Sequence, residues 1–395
     1  MLYNKYLGMD ISRLGFGMMR LPLLPGTQKI DEEQTREMVR LAFEGGVNYF
    51  DTAYPYHGGM SEIVAGNILK DYPRDSYYLA SKFPGHQIAQ SYDPEAVFEE
   101  QLKKCRVDYF DFYLLHNVYE NSLSTYEDER WGIIEYFKKQ KELGRIKHLG
   151  FSTHGRVGFL KDFLDKYGDI MEFCQIQLNY LDWTLQDAKA KYELLTERGI
   201  GVWVMEPVRG GKLAKLDDAS EKRLKAIRPD RSTASWAFEW LIKLPNVKVI
   251  LSGMSDIAQM KDNIDTFSRS IPLTDEESSL MLDIAETLKG ALPCTSCRYC
   301  TEGCPMGLDI PRLINAYNDL LYGGGMNVGM QMETLPEDKL PGACIGCGAC
   351  AQVCPQKIDI PRAMAEFSEK LAATPKWADI CRERDEANRR AREGR

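Results

Sequence analysis

The chain has 395 residues, of which 44% are hydrophobic and 27% are charged, a composition that excludes a disordered protein. Its net charge of −8 argues against a general nucleic-acid binder, which is usually basic. It has neither an apolar run of about 18 residues that could cross a membrane nor an N-terminal secretion signal. We therefore expect a cytoplasmic protein whose partners include neither nucleic acid nor membrane.

Eight short apolar runs recur along the first 285 residues and predict eight β-strands. Most are rich in β-branched and aromatic residues and are apolar on both faces, as in a parallel sheet covered on each side. In chain order the runs are 13–17, 47–50, 77–80, 110–115, 146–151, 173–178, 201–205 and 247–251.

Helical patterns separate these strands. Asp31 is placed to cap a helix over 32–44, Asp93 opens a second helix, and Ser232 opens a third over 233–242. Strand–helix alternation repeated eight times in about 250 residues is typical of an α/β protein of the (β/α)8 TIM-barrel type. A doubly wound open sheet is the alternative, although no G-x-G-x-x-G follows the first strand.

The composition changes after an acidic helical stretch at 274–288. We predict the barrel over 1–285, a small and mostly α-helical domain over 286–375, and a charged tail over 376–395. Residues 382–395 mix both charges and lack aromatic residues, so a solvated helix or tail is expected there.

Two cysteine runs dominate the second domain, and each ends in proline. They are Cys294-x2-Cys297-x2-Cys300-x3-Cys304-Pro305 and Cys344-x2-Cys347-x2-Cys350-x3-Cys354-Pro355. This is the spacing of two-cluster bacterial ferredoxins. Structural zinc and disulfides are the alternatives, but zinc sites normally pair two C-x2-C elements, and a triple run leaves surplus ligands.

The ferredoxin pattern predicts which thiols share a cluster, because the fourth cysteine of each run serves the other cluster. One [4Fe-4S] cluster is expected on Cys294, Cys297, Cys300 and Cys354, and another on Cys344, Cys347, Cys350 and Cys304. Each fourth cysteine is expected to begin a helix with its proline at the first position. The isolated Cys105, Cys174 and Cys381 are better explained by packing.

Polar residues follow three successive predicted strands, where a barrel places its catalytic groups. They are Asp51 and Tyr56, then Lys82, then His116. Taken singly, each has a structural explanation, but together they make a proton donor. We expect Lys82 to lower the pKa of the Tyr56 hydroxyl, Asp51 to hold the ammonium, and His116 to orient a carbonyl. None of them carries a hydride, so a cofactor must.

The barrel segment resembles the aldo-keto reductases, and the C-terminal segment resembles a ferredoxin-like domain. The matching motifs are Leu14-Gly15-Phe16-Gly17, Asp51-Thr52-Ala53-x-x-Tyr56, Ser81-Lys82, Asp111-x-Tyr113-Leu114-x-His116 and Gly150-Phe151-Ser152. The resemblance implies that Tyr56 is the general acid, that Lys82 and Asp51 tune it, and that His116 orients the substrate.

The resemblance also implies that NADPH or NADH lies extended across the barrel mouth. No Lys or Arg lies in 252–255 to bind a 2′-phosphate, so the sequence does not decide between NADPH and NADH. Met205 stands where many members stack a tyrosine on the nicotinamide. The implied cofactor contacts are Gly17, Met18, Met19, Asp51, Ser152, Gln175, Met205, Pro207, Val208, Arg209, Gly210, Gly253, Gln259 and Asn263.

Two functions follow from these patterns. The first is an NAD(P)H-dependent oxidoreductase that interconverts a small aldehyde or ketone and an alcohol. The second is an electron-transfer module that links a nicotinamide or flavin cofactor to a redox partner, such as a ferredoxin or flavoprotein, through the clusters. A barrel that has become a regulatory subunit is a third, against which the intact set of four residues argues.

Overall fold

A closed barrel of eight parallel strands forms the body of the protein. The computed structural model describes residues 1–269, 271–288, 292, 294, 298–322 and 325–393, without the side chains beyond 386. The strands are β1 Tyr3–Tyr6, β2 Met9–Ser12, β3 Leu14–Gly17, β4 Tyr49–Asp51, β5 Tyr78–Phe83, β6 Phe110–Leu115, β7 Ile146–Thr153, β8 Phe173–Gln177, β9 Gly201–Met205 and β10 Val247–Ser252. Strands β3 to β10 pair in chain order, and β10 closes on β3. The predicted (β/α)8 barrel is confirmed.

Helices follow the strands and continue into a helical C-terminal region. They are α1 Glu32–Glu44, α2 Met60–Leu69, α3 Pro94–Cys105, α4 Leu123–Tyr126, α5 Ile133–Glu142, α6 Val157–Tyr167, α7 Asp182–Leu185, α8 Ala188–Glu197, α9 Asp218–Ile227, α10 Thr233–Ile242, α11 Ile257–Arg269, α12 Asp275–Leu288, α13 Tyr299–Glu302, α14 Ile310–Leu321, α15 Gly325–Met332, α16 Ala349–Gln352, α17 Ile360–Ala372 and α18 Trp377–Glu393. No helix among the described residues has the length and apolar character needed to cross a membrane.

The helix starts follow the predicted capping chemistry. The side chains of Asp31, Asp93 and Ser232 accept hydrogen bonds from the backbone N–H groups of the first turns of α1, α3 and α10. Each cap satisfies a donor that has no partner inside the helix, which stabilises the helix start by about 1 kcal/mol.

An N-terminal hairpin, which the sequence patterns did not predict, closes the base of the barrel. Strands β1 and β2 are antiparallel, and Leu7 and Gly8 form the turn with positive φ angles of 51° and 82°. Tyr6 packs edge-on against Trp203 in the barrel interior, with 5.4 Å between the ring centres. The open mouth is therefore at the other end, where the parallel strands terminate.

The C-terminal domain is built from a repeated unit with its own apolar core. Helices α14 and α17 each begin at an Asp cap, Asp309 or Asp359, and carry a proline in the first turn. The core includes Leu313, Met364 and Phe367. A short helix, a turn and a long helix thus occur twice, 50 residues apart, in register with the two cysteine runs.

Buried polar contacts fix this domain to the barrel. Arg209, in the loop after β9, pairs with both Asp182 and Asp319, and Asp319 lies on α14. Asp319 also accepts a 2.6 Å hydrogen bond from Gln186. The loop that follows β9 is therefore attached directly to the C-terminal domain.

The first turns of α18, which precede the segment expected to be solvated, pack on the barrel. Trp377 and Cys381 are buried against Tyr119 and Met330. The indole Nε1–H of Trp377 donates to the carbonyl oxygen of His86 at 3.1 Å. The buried Trp377 side chain anchors helix α18 to the barrel mouth. The helix therefore packs there despite its high charge.

Candidate active site

Four polar side chains meet where β4, β5 and β6 end. The Lys82 ammonium donates to Asp51 Oδ1 at 2.5 Å and to the carbonyl oxygen of Thr52 at 2.7 Å. It also lies 5.0 Å from the centre of the Tyr56 ring. The rings of Tyr56 and His116 meet edge-on, with centres 5.9 Å apart. The structure thus brings together the four residues that the sequence singled out.

The buried ion pair of Lys82 and Asp51 dominates the electrostatics of this four-residue site. Lys82 is fully buried, and burial lowers its pKa, while burial raises the pKa of Asp51 against the opposing effect of Lys82. Asp51 Oδ2 is buried without a hydrogen-bond partner among the described residues. Each charge therefore depends on the other to stay ionised.

The expectation that Lys82 lowers the pKa of Tyr56 is wrong in its direction. Burial, followed by the carboxylates of Asp51 and Glu206, raises the pKa of Tyr56 well above its usual value of 10, and only Arg384 opposes them. Burial is the largest of these causes and decides the direction. Tyr56 is therefore a protonated phenol at neutral pH, ready to donate.

The histidines around the site are neutral at physiological pH. Burial lowers the pKa of His116 well below its usual value and the pKa values of His86 and His154 to about 3. His57 Nε2 accepts a hydrogen bond from the N–H of Leu21 at 3.1 Å. His116 keeps one ring N–H, which can donate to a carbonyl oxygen.

A groove with a cavity volume of about 280 Å³ runs from Tyr56 along the ends of β8, β9, β10 and β3. Most of the predicted cofactor contacts line it, namely Gly17, Met19, Asp51, Gln175, Met205, Pro207, Val208, Gly210, Gly253, Gln259 and Asn263.

Three predicted contacts do not line the groove. Met18 is fully buried. Ser152 is also buried, and its hydroxyl accepts a hydrogen bond from the N–H of Asn117 at 2.8 Å. Arg209 points away, toward Asp182 and Asp319. The sequence could not distinguish a basic side chain in the groove from one that fastens the C-terminal domain.

Arg20 and Glu206 face each other across the groove and were missed by sequence analysis. The guanidinium of Arg20 lies 3.3 Å from the Glu206 carboxylate. A Cβ atom at Gly253 would contact the Arg20 side chain at 3.3 Å, so the glycine leaves room for it. Arg20 directly follows Met18-Met19, which were predicted cofactor contacts, and this position indicates a place in the groove. Basic groups were expected only in the loop after β10.

The groove fits a nicotinamide dinucleotide by its polar groups. Gln175 Oε1 is buried at the Tyr56 end and has no hydrogen-bond partner among the described residues. A carboxamide N–H₂ would satisfy this acceptor. At the far end, Arg20 and Asp262 offer one cation and one carboxylate to a ribose or its phosphate. These groups leave the choice between NADH and NADPH open.

The cysteines of the two runs line two separate cavities, and each cavity mixes the runs. One is lined by Cys304, Cys344, Cys347 and Cys350, and the other by Cys294, Cys300 and Cys354. Cys297 lies outside the described residues. The described cysteines are all free thiols, and the isolated Cys105, Cys174 and Cys381 are buried.

The thiol sets fit multi-iron clusters better than single metal ions. In the described part of the chain, no three or more His, Cys, Asp or Glu side chains could hold one metal ion. The thiols instead surround small apolar cavities, as the ligands of a cube of four irons do. The expectation that Cys304 and Cys354 begin helices is wrong, because each lies in a turn and the helix starts six residues later, at Ile310 and Ile360.

Comparison with known proteins identifies the family. Residues 13–286 match the Aldo/keto reductase family. The chain belongs to the aldo/keto reductase family. Residues 293–358 of this aldo/keto reductase match a 4Fe-4S dicluster domain. The protein is therefore an NAD(P)-dependent oxidoreductase whose barrel is joined to an iron–sulfur domain.

Individual relatives cover the barrel of this aldo/keto reductase. It is 28% identical to the uncharacterized oxidoreductase YqkF of Bacillus subtilis over 68% of this chain and 91% of the relative. It is 24% identical to the NADH-specific methylglyoxal reductase of Escherichia coli over 71% and 96%. The holo form of aldo-keto reductase AKR11C1 from Bacillus halodurans is 27% identical, with a TM-score of 0.57 over 70% of this chain and 93% of that one.

Proposed function

We propose that the protein interconverts a small aldehyde or ketone and the corresponding alcohol by hydride transfer with NADH or NADPH. The observation that carries the proposal is the position of Tyr56 at the end of the groove, beside the buried pair of Lys82 and Asp51. A bound nicotinamide supplies the hydride.

The side chains of the site each have one task in carbonyl reduction. Tyr56 donates its phenolic proton to the substrate oxygen, and Lys82 beneath the ring stabilises the phenolate that this leaves. Asp51 keeps Lys82 charged and in place. The neutral His116 donates a hydrogen bond to the same oxygen and so orients the carbonyl. Gln175 holds the carboxamide of the cofactor.

The function is tested by anaerobic turnover of a panel of carbonyl compounds and alcohols with both dinucleotides, followed by a pH profile. Because the pKa of Tyr56 is raised above 10, carbonyl reduction should be independent of pH from about pH 6 to about pH 9. Alcohol oxidation needs the phenolate and should accelerate with pH over the same range. A reduction rate that falls as pH rises through 7 would contradict the assignment of a high-pKa donor.

We further propose two [4Fe-4S] clusters, one per cysteine-lined cavity, with the fourth cysteine of each run crossing to the other cavity. Cys304 lining the cavity with Cys344, Cys347 and Cys350 supports this exchange. We assign Cys294, Cys297, Cys300 and Cys354 to the other cluster. Cys354 lining the second cavity with Cys294 and Cys300 supports the same exchange.

The crossed ligation is tested by paired replacements, with single replacements as the reference. Cys304→Ala and Cys354→Ala should each lower the iron content from about eight to about four atoms per chain. The paired variant Cys304→Ala/Cys344→Ala should keep about four irons if the pairing is crossed, because both removed thiols then serve the same cluster. Near-complete loss of iron in that pair, with about four irons kept by Cys344→Ala/Cys354→Ala, would support uncrossed runs instead. Cys105→Ala is the matched control.

Electron transfer between the cofactor and a redox partner is the second candidate. A cavity of about 300 Å³ lies between the barrel and the iron–sulfur domain, and Arg298 and Pro311 line both it and the cavity of Cys294 and Cys354. This space offers a place for a mediator between the two redox parts. Clusters that bleach when NADH or NADPH and substrate are added would favour this role, and clusters that stay oxidised would favour a structural one.

A further inference from the structure

Helix α18 presents an arginine to the barrel mouth. Trp377, Cys381 and Arg384 are spaced four and three residues apart, so they share one face of the helix. Trp377 and Cys381 on that face are buried, and the Arg384 guanidinium lies 5.3 Å from the centre of the Trp377 ring. The same face that anchors the helix therefore directs Arg384 inward.

A continuous series of contacts leads from Arg384 to the catalytic residues. Trp377 stacks on His86 with 5.5 Å between the ring centres. The ring centres of His86 and His116 are 4.3 Å apart. Helix α18 also contacts the turn that begins at Tyr56. The positive charge of Arg384 reaches the site, because it lowers the pKa values of both Tyr56 and His116.

Arg384 differs from the inward-facing arginines that pair with carboxylates. Arg13 and Arg312 also lack a carboxylate partner among the described residues, but each donates to a backbone carbonyl oxygen. Arg209 and Arg228 each pair with two carboxylates. Arg384 is partly buried, burial lowers its pKa, and within the described residues it has no carboxylate partner. A guanidinium withdrawn from water without a counter-charge is costly. An anion that enters the site would remove this cost.

We propose that Arg384 binds a carboxylate on the substrate, so that the substrate is an aldehyde or ketone that also carries a carboxylate. This inference rests on the proposed function. One cation among a neutral histidine, a tryptophan and a buried thiol balances a single negative charge, which favours a carboxylate over a doubly charged phosphate. Arg384 is then a specificity residue that holds one end of the substrate while Tyr56 and His116 hold the carbonyl.

The test compares ω-oxo carboxylates, from 3-oxopropanoate to 6-oxohexanoate, with unbranched aldehydes of the same carbon number. The wild type should prefer the oxo acid, and the best chain length reports the reach from Tyr56 to Arg384. Arg384→Gln should lower kcat/KM for the oxo acids by about 10- to 100-fold, mainly through KM, as expected for a lost hydrogen bond to a charged group. The fall for the neutral aldehydes should be much smaller, and Arg384→Lys should retain part of the preference.

Arg382 provides the matched control on the same helix, because it is exposed and pairs with Asp379 at 2.8 Å. Arg382→Gln should change neither series. A wild type without preference for the oxo acids would overturn the proposal. So would an equal fall of kcat on both series in Arg384→Gln, which would mean that Arg384 only tunes Tyr56.

A binding measurement separates this inference from the proposed function. Butanoate is not reduced, and calorimetry should find that it binds the wild type about 10-fold more tightly than Arg384→Gln, with butanol as the uncharged comparison. If butanoate binding depends on Arg384 but no carbonyl compound is turned over, the proposed function fails and the anion site stands. If aldehydes are reduced but butanoate binding ignores Arg384, the anion site fails alone.

Discussion

Replacing Tyr56 with phenylalanine should lower kcat for carbonyl reduction by about 10²- to 10⁴-fold, the usual contribution of a positioned general acid. The ring packing against His116 and Lys82 is kept, since only the hydroxyl is removed. The affinity for the dinucleotide and the melting temperature should therefore be unchanged. Single-turnover kinetics with saturating cofactor, together with a fluorescence titration of the dinucleotide, measure both effects.

Tyr54→Phe is the matched control for this replacement. Tyr54 lies two residues before Tyr56, and its hydroxyl donates to Glu100 at 3.1 Å, away from the groove. This variant should retain wild-type kcat. Equal activity of Tyr56→Phe and Tyr54→Phe would remove Tyr56 from the reaction.

Replacing Lys82 with methionine should give the largest loss of stability. The change leaves Asp51 buried without its counter-charge, and breaking a buried ion pair in this way costs about 3–5 kcal/mol in the free energy of unfolding. Reduction of carbonyls should also fail, because no cation remains beneath the Tyr56 ring. Chemical denaturation of the iron-loaded protein measures the first effect, and turnover measures the second.

The stability loss in Lys82→Met should depend on pH in a defined direction. Burial raises the pKa of Asp51, and without Lys82 nothing nearby lowers it. A carboxyl group whose pKa is raised by folding stabilises the fold below its unfolded pKa and loses this contribution as pH rises through the folded pKa. The variant should therefore be less destabilised at about pH 5 than at about pH 8.

The double variant Asp51→Asn/Lys82→Met isolates the charge effect. It removes the unpaired carboxylate, so most of the lost stability and all of the added pH dependence should return. Activity should stay low, because the double variant lacks the cation as well. A double variant as unstable as Lys82→Met would indicate that the packing of the lysine stem, and not its charge, matters.

The barrel could be predicted because its strands carry a local signal. The runs at 110–115 and 201–205 coincide with β6 and β9, since burial on both faces leaves little room for polar residues. The hairpin β1–β2 was missed because its strands are only four residues long and include exposed side chains. Short half-exposed strands lack that signal.

The clustering of Asp51, Tyr56, Lys82 and His116 could be predicted because they lie at strand ends, whose positions follow from the barrel. The contribution of Arg384 could not, since it reaches the site from a segment distant in sequence. The sequence also could not predict in which direction the pKa of Tyr56 is shifted. The shift is the net result of burial, Asp51, Glu206 and Arg384, and depends on three-dimensional distances.

If the proposed coenzyme site and clusters are correct, the attachment of Arg209 to Asp319 should make coenzyme affinity sensitive to oxygen. Arg209 directly precedes Gly210 in the groove, while Asp319 shares helix α14 with Pro311 and Ile314, which face the cavity of Cys294 and Cys354. If air removes the iron and this helix shifts, the loop that we propose to bind the pyrophosphate loses its anchor. The first sign of inactivation in air would then be a lower affinity for the coenzyme, while the barrel stays folded. This would hold even if the clusters transfer no electrons.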